Sequence, residues 1–201
     1  MKKLAPIISY LFHPLIMPSL GLLIILNSGT YLALRDPAAK RALMFVMALG
    51  TLIFPLMMLP VLQYRNLVLK NGQEGTRSEQ LIPQIIILVL YIITFVYFKR
   101  LPVNKVIHAY VLSVTATFFI LVLLNLWRSI SMHTAALGGI SGLIIALIIL
   151  FQTPLEGYLI LSILAAGLTG SSRLAMGDGW GELLSGFLLG FAVVLITVLL
   201  V

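Results

Sequence analysis

An all-α bundle of transmembrane helices, with six or seven spans, is the fold class this sequence predicts. Three observations predict it. Of the 201 residues, 61% are hydrophobic and only 9% are charged, whereas a soluble domain carries roughly 25% charged residues. The apolar residues come in runs close to the ~20 residues a helix needs to cross the hydrocarbon core. The polar residues collect in short breaks between those runs. So few charges cannot cover a water-facing surface, so the bilayer is the solvent and residues 1–201 read as one transmembrane helical domain.

Seven runs qualify in order. The first, 7–34, holds His13, Pro14 and Pro18, so it is expected to open with a separate interfacial turn. It follows Met1, Lys2 and Lys3 as a signal peptide would. It shows no small-residue cleavage site, and is read as a retained span. The second, 42–62, contains Pro55 and Pro60, which are expected to kink it or end it early. The third and fourth are 81–98 and 106–126. The fifth, 134–151, carries Gly138 and Gly142, and the seventh, 183–201, carries Gly186 and Gly190. Small residues four apart let helix backbones approach closely in a lipid-embedded bundle. The sixth, 158–170, is short and rich in Gly and Ala, and without it the count falls to six. No repeat of solenoid length is visible.

Composition also limits the partners. The net charge is +7. The basic residues stand in short loops, where membrane proteins set their orientation. Lipid phosphates and anionic headgroups are therefore the expected partners, and nucleic acid is not. The absence of cysteine excludes disulfides and thiolate metal sites. The sequence offers no metal-ligand cluster, and no metal or other cofactor is expected.

Three polar islands remain. Lys70 to Arg77 lies between spans two and three. Ser131 and His133 lie between four and five. Ser172 and Arg173, followed by Asp178 and Glu182, lie between six and seven. Consecutive islands are separated by two spans, so all three share one side of the membrane, which is also the side of the N-terminus. Ionisable groups are costly in hydrocarbon, and gathering them on one face points to a site. That side holds seven cations, Lys2, Lys3, Arg65, Lys70, Arg77, Arg128 and Arg173, against Arg35, Lys40, Arg41, Lys99, Arg100 and Lys105 on the other. If Lys70, Arg77 and Arg173 serve a ligand, the remaining balance places the islands outside the cytoplasm. The expected location is a bacterial inner (plasma) membrane.

Each island has its own chemistry. Lys70 and Arg77 flank a turn-forming segment, so a point charge and a guanidinium fork can converge on a phosphate; a solvated cationic loop has the same composition. His133 at the mouth of span five can act as general acid or base. Ser131 can cap that helix, whose N-terminus favours anions. Arg173 beside Ser171 and Ser172 can clamp a phosphoryl group, and Gly177, Gly179 and Gly181 allow close backbone approach. His13 lies on the island side and can in principle reach the site. His108 belongs to the opposite face.

Taken together, the islands resemble the type 2 phosphatidic acid phosphatase/haloperoxidase superfamily over about residues 65–190. That family shows Lys, six residues, Arg-Pro; then Pro-Ser-Gly-His; then Ser-Arg, five residues, His, three residues, Asp. Lys70 and Arg77 match the first motif in spacing, with Ser78 in place of the proline. Ser131 and His133 match the second, with Ile130 and Met132 at its other positions. Ser172 and Arg173 open the third. The resemblance implies hydrolysis of a lipid phosphate or pyrophosphate without a metal. His133 would protonate the leaving alkoxide. Lys70, Arg77, Ser131, Ser172 and Arg173 would bind the phosphoryl oxygens. The family's nucleophile is the histidine of the third motif, oriented by the following Asp. Ungapped spacing places Gly179 and Leu183 at these positions; alignment from Gly186 backward places Asp178 and Glu182 there. Neither supplies a histidine, although carboxylates serve as phosphoryl acceptors in other enzymes. The alternative is a catalytically impaired member that binds anionic headgroups or a partner protein. A small transporter is disfavoured, because the spans hold few internal polar residues and no inverted repeat.

Overall fold

The computed structural model describes residues 9, 11–30, 36–58 and 77–201, with backbone alone at 77–82. Lys70 and Pro60 lie outside the described residues. Among the described residues the regular structure is all helical, with no strand. Five helices are long and apolar enough to cross a membrane, and two apolar stretches are shorter.

Helix α1 spans Met17–Asn27. It is shorter than the expected span because the chain breaks at His13. Pro14 disfavours helical geometry in the residue before it, and the chain re-enters a turn through Ile16 N–H donating to the His13 carbonyl at 3.0 Å. Pro18 sits in the first turn, where its missing N–H costs nothing. Past the helix end, Gly29 takes a positive φ of 73°.

Helix α2 covers Pro37–Met58. Asp36 starts it by accepting from the Ala38 and Ala39 N–H groups at 3.0 and 3.2 Å. Pro55 does not end this helix. A π-helical turn over Leu49–Ile53 precedes it, and the wider ladder absorbs the bond that proline cannot donate. Thr51, inside that turn, donates to the Met47 carbonyl at 2.8 Å.

Helix α3 is Arg77–Lys99, with Pro83 inside it. Helix α4 is Lys105–Asn125, capped by Asn104 accepting from Val106 N–H at 2.9 Å. Helix α5 is Met132–Phe151. Helix α6 is Glu156–Ala175, longer at both ends than the expected sixth span. Helix α7 is Trp180–Leu199.

Helix α5 is the centre of the bundle. It buries Leu137, Ile140, Leu143, Ile144 and Leu147 and packs on α1, α4, α6 and α7. The α5–α7 seam is built from the glycines singled out in the sequence. A Cβ on Gly142 would come within 2.5 Å of the Phe191 carbonyl oxygen, and one on Gly186 within 2.5 Å of the Ser131 carbonyl oxygen. Gly138 faces the Phe187 carbonyl and Gly190 the Ala135 carbonyl at still closer range. The backbones therefore touch, as small residues four apart allow. Helix α6 instead turns Ile160, Leu161, Ile163, Leu164 and Leu168 outward. Several buried hydroxyls are satisfied within the bundle: Ser141 and Ser162 share a hydrogen bond of 3.0 Å across α5 and α6, and Thr115 donates to the Val111 carbonyl at 2.9 Å; those of Thr153 and Thr169 have no partner.

Candidate functional site

The start of α5, the ends of α4 and α6 and the start of α7 meet at one end of the bundle. They enclose a polar cavity of about 210 Å³ lined by Gln84, Asn125, Ser131, His133, Arg173, Asp178 and Glu182 among others. The second and third islands therefore do share a side. His108 stands at the other end of α4, its Nε2 2.9 Å from the Phe98 carbonyl oxygen. Of the first island, Arg77 begins α3 but its side chain lies outside the described residues, as does Lys70 entirely.

Local bonding explains how the cavity is held. The Asn125 Oδ1 accepts from Ile130 N–H at 2.8 Å, and its Nδ2 donates to Gln84 Oε1 at 3.3 Å. One side chain thus ties the α4–α5 loop to both α4 and α3. Ser131 N–H donates to the Glu182 carbonyl at 3.2 Å, which fixes the start of α5 against the start of α7. Glu182 Oε2 accepts from Gly179 N–H at 3.4 Å, bracing the first turn of α7.

Ser131 departs from expectation. It occupies the N-cap position of α5, yet its side chain makes no capping bond. The reason is local. The Ser131 backbone is pinned to Glu182 and pressed by Gly186, and the ladder starts from its carbonyl, which accepts from Ala135 N–H at 3.2 Å. The hydroxyl is left 7% exposed as a residue and has no hydrogen-bond partner. A buried hydroxyl without a partner is costly. Ser131 lines the polar cavity, and its buried hydroxyl sits beside the positive end of a long helix.

The third island closes on itself. Arg173 Nε donates to Asp178 Oδ2 at 2.8 Å and its second guanidinium nitrogen donates to Oδ1 at 2.9 Å. Gly177 makes this possible with a φ of 107°, a conformation costly for other residues. Both oxygens of Asp178 are thereby engaged. Gly179 is the N-cap of α7 and Leu183 is buried in the packing, so neither brings a reactive group. Ser172 does not line the cavity; its hydroxyl shares a buried hydrogen bond of 3.2 Å with Ser9.

His13 is the addition that spacing alone undervalues. Its ring packs edge-on against His133, with centroids 5.8 Å apart and planes at 78°. Its Nδ1 accepts from Leu15 N–H at 3.3 Å, which leaves the proton of the neutral ring on Nε2. Burial lowers its pKa from the ordinary value. The sequence signal was there: a histidine just before proline, on the island side, in an apolar run. Gln84 and Asn125 carried a weaker one, as uncharged polar residues at span ends.

Among the described residues no group of three His, Asp or Glu side chains could hold a metal ion. The arrangement can do three things. The orphan hydroxyl and the α5 N-terminus can receive an anion. His133 can exchange a proton with it. Arg173 can join them if Asp178 yields. Comparison with family models, with curated proteins and with solved structures finds no match. The family resemblance therefore rests on the sequence motifs alone.

Proposed function

We propose that the chain is an integral membrane protein whose cavity receives the phosphate of a lipid phosphate or pyrophosphate and hydrolyses it, in the manner of the type 2 phosphatidic acid phosphatase superfamily. The observation that carries this reading is the orphan Ser131 hydroxyl. Ser131 stands at the N-terminus of α5 and lines the same polar cavity as His133 and Arg173, with its hydroxyl buried just behind the wall. An anion with acceptor oxygens satisfies that hydroxyl and the free N–H groups of the helix end together. His133 would supply the proton to the leaving oxygen. Lys70 and Arg77 would add positive charge, as the first motif of the resemblance implies. In this reading the apolar segments make seven crossings, and the cavity opens outside the cytoplasm of a bacterial cell.

A second reading keeps the pocket without turnover: a protein that binds anionic headgroups. The Arg173–Asp178 pair favours it, because the fork that would grip a phosphoryl group is already matched to a carboxylate. One experiment separates the two. Purified protein in detergent is assayed for phosphate release from phosphatidate and polyprenyl pyrophosphate, beside a His133→Ala variant. Release that depends on His133 supports hydrolysis. Binding of the same lipids without release supports the second reading. Neither release nor binding would sink both.

A further inference from the structure

The segment ahead of α1 is anchored to the site at two points. Ser9 bonds to Ser172, 163 positions away and adjacent to Arg173. Four residues later His13 packs on His133. Between His13 and α1 the helix is broken by Pro14, and the Leu15 N–H holds the His13 ring by Nδ1. A polar pair of this kind inside an apolar bundle is costly unless it is used. His133 faces the cavity, whereas His13 is not among the residues that line it. His13 therefore acts on a ligand only through His133.

We propose that His13 is a positioning residue for His133: the two imidazoles form one coupled pair, in which His13 fixes the His133 ring and resists a second proton on the pair. The inference deepens the reading above, since it makes the N-terminal segment part of the phosphate site. It does not require turnover.

The charged and titratable groups facing His133 come from every element around it. They are His13 ahead of α1, Arg173 at the end of α6, Asp178 in the turn after it and Glu182 in the first turn of α7. Gln84 on α3 and Asn125 on α4 are uncharged. Arg173 and Asp178 are bonded to each other, and both charges also act on His133. Two protons on imidazoles with centroids 5.8 Å apart would repel enough to separate the two titration steps by about 0.5–2 pH units, across effective dielectric constants from water to a protein surface. Coupled groups then titrate as a pair and not as individuals.

The test is carbon-13 NMR of histidine-labelled full-length protein in detergent micelles, titrated with pH. Only three histidines are present, so His13→Phe, His133→Phe and His108→Gln assign the signals. The expected wild-type result is a two-step curve for both His13 and His133. In His13→Phe, which keeps an aromatic ring against His133, His133 is expected to collapse to a single step. The mirror result is expected for His13 in His133→Phe. Single-step curves in the wild type, unaltered by either variant, would overturn the proposal and leave His13 as packing only. Phosphate release is measured on the same samples. A wild type without release but with two-step curves overturns hydrolysis and keeps the pair. Release with single-step curves does the reverse.

Discussion

Replacing Gly190 by alanine tests the seam that sets the cavity walls. An ideal Cβ there would stand 2.7 Å from the Ala135 carbonyl carbon and 3.0 Å from the Gly139 nitrogen, with the Ala135 oxygen nearer still. All three are backbone atoms, and no rotamer can relieve them. The helices must separate, and the neighbouring contacts at Gly138, Gly142 and Gly186 loosen with them. Overpacking of this kind costs about 3 kcal/mol, the upper end of its usual range, because nothing soft yields. For a chain of this size that is a fall of about 6–12 °C in melting temperature. The control is Gly167→Ala on α6, where a new Cβ meets nothing within 4 Å. Alanine favours a helix over glycine by up to about 1 kcal/mol, so this variant is expected to melt at or above the wild type. The assay is thermal unfolding in detergent, followed by circular dichroism and by size exclusion of heated samples. Equal shifts in the two variants would refute the argument that backbone contact between α5 and α7 holds the bundle.

Three further outcomes follow from the site. Ser131→Ala removes a hydroxyl that makes no internal bond. It should leave the melting temperature unchanged or slightly higher, yet weaken binding of a lipid phosphate about fivefold, measured by isothermal titration calorimetry. Asp178→Asn removes the charge that matches Arg173 and should strengthen phosphate binding roughly tenfold in the same assay; weaker binding would show that Asp178 itself supports the ligand. Burial places the folded-state pKa of His13 below its ordinary 6.5. The unfolded chain then holds the proton more tightly, so stability is fully present above about pH 6.5 and is lost as pH falls through the lowered value. Melting temperature should drop as pH falls below about 6.5, and His13→Phe should reduce that drop.

The sequence announces elements better than contacts. Each of the seven apolar runs holds a helix in the described residues, because run length and hydropathy act locally. The ends are less legible. The first run starts its helix only at Met17, since the backbone preference before Pro14 outweighs continuous hydropathy. The second passes Pro55 through a π turn that no composition rule signals. The glycine spacing on α5 and α7 was readable because close approach has a fixed period. The convergence of the second and third islands was readable because span parity is a topological fact. The His13–His133 contact was not, because it depends on where a broken segment 120 residues upstream is laid down. The Arg173–Asp178 pair was within reach: five positions apart with Gly177 between them, it is a local turn that motif alignment passes over.

That pair decides how the cavity can work. A guanidinium with two nitrogens on one carboxylate has its strongest geometry already in use. A phosphate entering the cavity must either bind without Arg173 or displace Asp178 from it. The first course leaves Ser131, the α5 N-terminus, His133 and the uncharged side chains of Gln84, Asn125 and Ser129 among the described groups, enough for a weakly held anion. The second turns a closed pair into an exchange, in which a phosphate dianion competes against a carboxylate of lower charge. Exchange favours the ligand with more charge and more acceptor oxygens, so it would select a phosphate monoester over a diester. The Gly177 turn is left-handed and faces open space, while the Asp178 N–H donates to the Arg173 carbonyl at 3.1 Å, so the exchange needs only the Asp178 side chain to turn away. The pairing of Arg173 with Asp178 lowers the cost of holding an arginine at the end of an apolar bundle.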